Sequence, residues 1–305
     1  MAPVGAADQC PAGGHLYTYF PPGTTLLAAP FVWMIDAAAR RAGPWSAPIA
    51  ARMTPSPVRA LLEGDLAEAH AFVEILIASF WLALAAVVMY LIGRQFVGVG
   101  SSAALSAIFA FCTLAWSTAS RALWQHGPAM LLIAASLLLL IRASRRPSWI
   151  PIVGALLALA VQVRPPMVIV AVAVTVYVWR HHRAKLVFYL LWASTVCFVF
   201  ALFNYWIYGS PLPPYITGET TKFAVHSGFF EALAGSLVSP ARGLLVFSPV
   251  FALSLYGLFA FPTGETTRRL RPYLVSILVC YWIMIALYPI WWGGHSIGAR
   301  YFSDL

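Results

Sequence analysis

Single arginines stand in loops otherwise crowded with aromatics, glycines and prolines. Arg121 lies in Ser120-Arg121-Ala122-Leu123-Trp124-Gln125-His126-Gly127, Arg164 in Gln162-Val163-Arg164-Pro165-Pro166, and Arg300 near the end of the stretch from Trp291 to Tyr301. A guanidinium matches two phosphate oxygens at once, and the match strengthens where water is partly excluded. Arginines from loops distant in sequence can therefore converge on one phosphate or diphosphate. We expect Arg164 and Arg300 to hold such an anion, with Arg121, Arg242, His126 and His295 beside them. The bland reading of a lone arginine is a side chain reaching for lipid headgroups. His126 and His295 lack the HExxH spacing or a close acid that a metal site needs, so they read as hydrogen-bond donors to phosphate or sugar, and neither metal nor cofactor is expected. Tyr19, Gln125, Trp292 and Glu219 are the candidates for contact with a sugar or polar acceptor, although Trp124, Trp291 and Trp292 also suit interface anchoring.

Acids are scarce, ten in all, so each can be weighed as a base. Glu74 lies in the first turns of an apolar run, where a carboxylate is costly unless paired or wet. It reads equally as a helix-start acid favoured by the helix dipole. Asp65 and Glu68, just before that run, read as cap and first-turn residues. Asp36, Glu219 and Glu231 remain candidates for binding a polar acceptor.

The elements that must position these residues are membrane helices. With 61% hydrophobic and 10% charged residues and a mean hydropathy of +0.80, the chain has too little charge for the surface of a soluble protein. Apolar runs cover Ala71–Gly93, Ser101–Ala119, Pro128–Ile141, Lys185–Tyr208, Leu244–Phe261 and Tyr273–Ile290. A further run from Trp149 to Trp179 is broken at Arg164-Pro165-Pro166. Proline removes a backbone donor and disfavours helix before it, so this run reads as two short helices with Arg164 at their turn. The fold class is therefore all-α, a polytopic helical membrane protein of about eight spans.

Alternate junctions between spans are basic: Arg142, Arg145 and Arg146; Arg180, Arg183 and Lys185; Arg268, Arg269 and Arg271. The positive-inside rule puts these in the cytoplasm, which sends the lone-arginine loops to the outer face and makes the first span enter from outside. Much of the net charge of +9 sits in these clusters, so it does not argue for nucleic acid. Leu26–Ala39 is apolar but short for a span and reads as a helix lying in the outer interface. Residues 1–69 are accordingly taken as an extracytoplasmic loop, and 70–305 as the transmembrane domain. Cys10, Cys112, Cys197 and Cys280 form no disulfide pattern.

At several of these residues the chain resembles bacterial membrane glycosyltransferases of the GT-C fold, relatives of the protein O-mannosyltransferases and aminoarabinose transferases. The similar strings are Tyr19-Phe20-Pro21-Pro22-Gly23 through Pro30, Arg121-Ala122-Leu123-Trp124-Gln125-His126-Gly127-Pro128, Arg242-Gly243-Leu244-Leu245-Val246-Phe247-Ser248-Pro249, and Trp291-Trp292-Gly293-Gly294 through Arg300. The resemblance spans essentially the whole chain. It implies transfer of a sugar from a polyprenyl-phosphate donor to a glycan, lipid or protein acceptor, at the outer face of the inner membrane. The family's base is an acid in the first outer loop, after a first transmembrane helix. Here the only acid before Tyr19 is Asp8, so the base and a span are expected upstream of Met1, and the given chain is expected to be incomplete. The rival class is a transporter or flippase for a lipid-linked or anionic solute. Such proteins pair half-repeats with interrupted helices near the midplane; here the polar residues gather at loop mouths, which favours the enzyme.

Overall fold

The computed structural model describes residues 19–217, 224–260, 264–294 and 298–303, and all their regular structure is helical. In order the helices are α1 (Gly23–Ala50), α2 (Pro57–Glu63), α3 (Leu66–Gly93), α4 (Val99–Phe111), α5 (His126–Ala143), α6 (Ile150–Val163), α7 (Val168–His181), α8 (Arg183–Tyr208), α9 (Pro214–Thr217), α10 (Phe229–Val238), α11 (Leu244–Phe247), α12 (Val250–Ala260) and α13 (Gly264–Ala286). Helices α3, α5, α8 and α13 are long and apolar enough to cross a membrane, whereas α4, α6, α7, α10 and α12 are apolar but shorter. Lipid offers no partner to a bare amide, which is why apolar runs of this length close their hydrogen bonds internally as helix.

Local chemistry explains most boundaries. Asp65 caps α3, its carboxylate accepting from the amides of Ala67 at 3.0 Å and Glu68 at 3.2 Å. Ser56 caps α2 ahead of Pro57, and Gly64 ends that helix at φ 82°, a left-handed value that glycine adopts without strain. The expected run Ser101–Ala119 is broken. Helix α4 stops at Phe111, and a π-turn follows over Ala115–Ala119. Thr113, Ser117 and Ser120 each turn a hydroxyl back onto a carbonyl three or four residues earlier, the competition that makes such residues poor in helix interiors. Leu244–Phe261 is likewise split, into α11 and α12, at Ser248-Pro249. Helix α13 starts nine residues earlier than the expected Tyr273, taking in Arg268, Arg269, Arg271 and Pro272, and it ends just before Tyr288-Pro289.

The largest departure is α1. It runs 28 residues, through Pro30, Pro44 and Pro48, where about fourteen had been expected. An Asp36–Arg40 pair at 2.8 Å spans one turn of it, and the Ser46 hydroxyl donates to Leu62 O at 2.6 Å, tying its second half to α2. Its first half packs Ala28, Phe31 and Ile35 against Val73, Ile77 and Trp81 of α3.

The main core joins α5, α6, α7 and α13 around Leu157, Val163, Met167, Tyr177 and Tyr281. Helices α6 and α8 touch backbone to backbone, because a Cβ at Gly154 would stand 2.4 Å from the carbonyl oxygen of Tyr189. These contacts sort the chain's two kinds of loop. The turn after α6, the start of α5 and the far half of α13 meet at one end through Arg164, His126 and Tyr281. The end of α7 meets the start of α13 at the other, where Tyr273 packs on Tyr177 and His181. Since α5 and α6 run the length between, the three arginine clusters lie at the end opposite Arg164.

Candidate functional site

Arg164 is extended, at φ −146° and ψ 104°, as a residue before proline must be. This backbone ends α6 and turns the side chain inward, where it is 8% exposed. Its Nη2 donates to the Tyr281 hydroxyl at 3.3 Å, and Nη1 lies at a long 3.5 Å from Nε2 of His126. The Ser303 hydroxyl is 2.8 Å from Nδ1 of His126 and donates to the carbonyl of Arg300 at 2.7 Å. A guanidinium can only donate, so Nε2 of His126 accepts. Nδ1 then carries the proton and donates to Ser303. The assignment follows from the donors available and links four distant segments, at 126, 164, 281 and 300–303, into one network.

Arg300 lies over the face of Trp124, 4.1 Å from the ring centroid, a cation–π contact that fixes the guanidinium. Tyrosines complete this region: Tyr301 meets Tyr288 edge-on at 5.9 Å, and Tyr215 packs against Tyr19 and Phe20. Burial pushes the phenols of Tyr215 and Tyr301 above the ordinary tyrosine pKa, the neighbouring tyrosines add to the rise, and the charges of Arg164 and Arg300 oppose it. Both arginines thus act on both phenols. A small adjoining cleft is lined by Arg300, Tyr301, Arg242, Ser236, Trp291 and Trp292. In it Arg242 donates from Nη2 to Gly294 O at 2.8 Å, and its buried Nη1 has no hydrogen-bond partner among the described residues. Gly293 and Gly294, at φ 75° and 71°, supply the left-handed turn that brings this carbonyl round.

The aromatic-proline segment serves the same place. A Cβ at Gly23 would lie 2.5 Å from the carbonyl oxygen of Gln162 and 2.7 Å from the amide of Val163. Only glycine lets α1 begin against the strand of backbone that leads into Arg164.

Arg164, Arg300 and His126 are therefore brought together. Arg242 and Trp292 share the cleft with Arg300, and Tyr19 reaches the group through Tyr215. Gln125 adjoins His126 with a buried amide nitrogen that has no hydrogen-bond partner among the described residues. Arg121 is exposed and makes no hydrogen bond or ion pair among them. Glu74 is exposed on α3, one helical turn before the buried Ile77 and Ala78. His295, Glu219, Lys222 and Asp304 lie outside the described residues. The other described acids are accounted for elsewhere. Asp36, Glu63 and Glu265 pair with Arg40, Arg59 and Arg269, Asp65 caps α3, and Glu68 and Glu231 are exposed in first helical turns. No three His, Cys, Asp or Glu side chains cluster as a metal site among the described residues. Sequence reasoning missed Tyr281 and Ser303. The signal for Tyr281 is a phenol inside an apolar helix, which must find a partner to be buried there.

An all-α polytopic membrane protein with two arginines set beside aromatic and hydroxyl groups is the class that fold and site define. Residues 61–208, just under half of the chain, match the family described as dolichyl-phosphate-mannose-protein mannosyltransferase, and the match supports a GT-C-like membrane glycosyltransferase family member. The matched segment carries Arg164 and His126 but not Tyr281, Arg300 or Ser303. No curated protein and no solved structure was found to match the chain.

Proposed function

We propose that this chain transfers a sugar from a polyprenyl-phosphate donor to an acceptor at the outer face of the membrane. The observation that carries the reading is the convergence of Arg164, Arg300 and His126 at one end of the helices. A buried guanidinium keeps its charge, and His126 and Tyr281 fix where that of Arg164 stands. A phosphate is the ligand such a cation is suited to hold. The matched family's description names a dolichyl-phosphate sugar as donor, which agrees with a lipid-linked phosphate here. In the transfer, the acceptor oxygen bonds to the anomeric carbon while the bond from that carbon to the phosphate oxygen breaks. A carboxylate takes the acceptor's proton, and the arginines stabilise the departing polyprenyl phosphate. The sugar, the acceptor and the carboxylate are left unassigned. The outer-face location is supported by the three arginine clusters at the opposite end, which suit the cytoplasm.

The test is binding and turnover of a radiolabelled polyprenyl-phosphate sugar by purified protein. Losing one partner of a desolvated charge contact costs on the order of 2–5 kcal/mol. Arg164→Gln and Arg300→Gln should therefore each weaken binding by roughly thirty-fold or more. Arg145→Gln, at the far end, should leave it unchanged. A transferase also releases free polyprenyl phosphate, which a flippase does not. Unchanged affinity in a folded Arg164→Gln protein would reject the phosphate site.

A further inference from the structure

The end of the molecule away from Arg164 carries an open groove of about 500 Å³ between α7 and α8, lined by Val176, Trp179, Arg180 and Arg183. These positions follow helical spacing, so they form one face of α7 carried over into the first residue of α8. Trp179 is half exposed, and the Arg183 guanidinium lies 5.6 Å from its ring centroid. The lining is thus half apolar and half cationic. Neither Arg180 nor Arg183 has an ion-pair partner among the described residues.

The surroundings add further positive charge. The start of α13 packs beside the end of α7, where Tyr273 meets Tyr177 and His181. Of the arginines there, Arg269 is paired with Glu265, while Arg271 has Nε and Nη2 buried without a hydrogen-bond partner among the described residues. Burial first, and then the neighbouring His181 and Arg269, hold the His182 imidazole below its ordinary pKa.

We infer that the α7–α8 groove binds the headgroup and upper acyl chain of an anionic phospholipid, with Arg180 and Arg183 on the phosphate and Val176 and Trp179 against the chain. The apolar half favours a lipid over a free anion, and the cationic half favours an acidic headgroup over a zwitterionic one. This site stands apart from the Arg164 group and does not depend on the transfer reaction proposed above.

Purified protein in detergent, titrated with phosphatidylglycerol and separately with phosphatidylcholine and followed by native mass spectrometry, tests the inference. Phosphatidylglycerol should bind in preference. Arg180→Gln with Arg183→Gln should weaken it about thirty-fold, from about a factor of five for each basic residue near an anionic lipid. Arg142→Gln with Arg145→Gln removes the same charge from another junction and should have little effect. Trp179→Ala should weaken phosphatidylglycerol by removing the apolar contact to its chain, and unchanged binding would overturn the lipid reading. An equal loss in both arginine pairs would reduce the effect to bulk charge and overturn the site. Competition by inorganic phosphate at concentrations equal to the lipid would replace the lipid with a free anion and likewise overturn it.

Discussion

Gly23→Ala is the perturbation that best separates positioning from binding. The added methyl would sit 2.5 Å from the Gln162 carbonyl oxygen and 2.7 Å from both the Gln162 carbonyl carbon and the Val163 amide nitrogen. Ordinary contact begins at 3.4 Å, so α1 and the end of α6 must part by about 0.9 Å, with backbone on both sides. Overpacking of this kind typically costs about 1–3 kcal/mol. Arg164 is the next residue after Val163, so part of the displacement reaches its side chain. A misplacement near 1 Å in a catalytic group can cost about 100-fold in rate. The expected outcome is a folded protein with a modestly lowered melting temperature and turnover of lipid-linked sugar reduced by one to two orders of magnitude. Gly257→Ala is the control: its Cβ meets nothing within 4 Å, and it should be neutral or slightly stabilising, since alanine outranks glycine in a helix. Wild-type turnover and melting temperature in Gly23→Ala would refute the idea that the aromatic-proline turn holds Arg164 in place.

Other outcomes follow from the same contacts. Gly154→Ala puts a methyl 2.4 Å from the Tyr189 carbonyl oxygen and should destabilise the α6–α8 pair by about 1–3 kcal/mol, read as a lowered unfolding midpoint in detergent; an unchanged midpoint would mean that these helices can move apart freely. Tyr281→Phe removes the acceptor of the Arg164 Nη2 bond and should cost about 1–3 kcal/mol in stability, measured by thermal unfolding with Tyr205→Phe as an exposed comparison. Tyr215 and Tyr301 have raised pKa values in the folded state, so their stabilising contribution is present below the unfolded tyrosine value and lost as pH rises through the folded one. An ultraviolet difference titration should show a late-ionising fraction that falls by two phenols in the double variant Tyr215→Phe/Tyr301→Phe.

Much of the helical architecture was legible because lipid imposes two readable demands, apolar side chains and internally closed hydrogen bonds. Where the chain met those demands partially, the reading faltered. Arg40, Arg41, Pro44 and Pro48 look like the end of a helix, yet α1 continues through them. Its hold on α2 through Ser46 and on α3 through Phe31 outweighs local propensity. The break after Phe111 turns on three hydroxyls choosing backbone carbonyls, a competition that an apolar run conceals.

The site divides in the same way. Arg164 is legible because an arginine flanked by apolar runs and followed by two prolines is costly unless it is wanted there. Arg121 looks equivalent in sequence, but its place ahead of the capping turn at Gln125 leaves it exposed while His126 faces inward. Loop residues do not disclose which side of a turn they leave from. Ser303 was not legible at all, and Tyr281 only as a phenol that burial in a span obliges to find some partner. Their part appears only once Arg164 is seen to meet one directly and the other through His126. His126 and Tyr281 hold the Arg164 guanidinium by imidazole and hydroxyl, which fixes where its charge stands. A carboxylate in the place of Tyr281 would pair with that guanidinium and weaken the phosphate contact proposed for it.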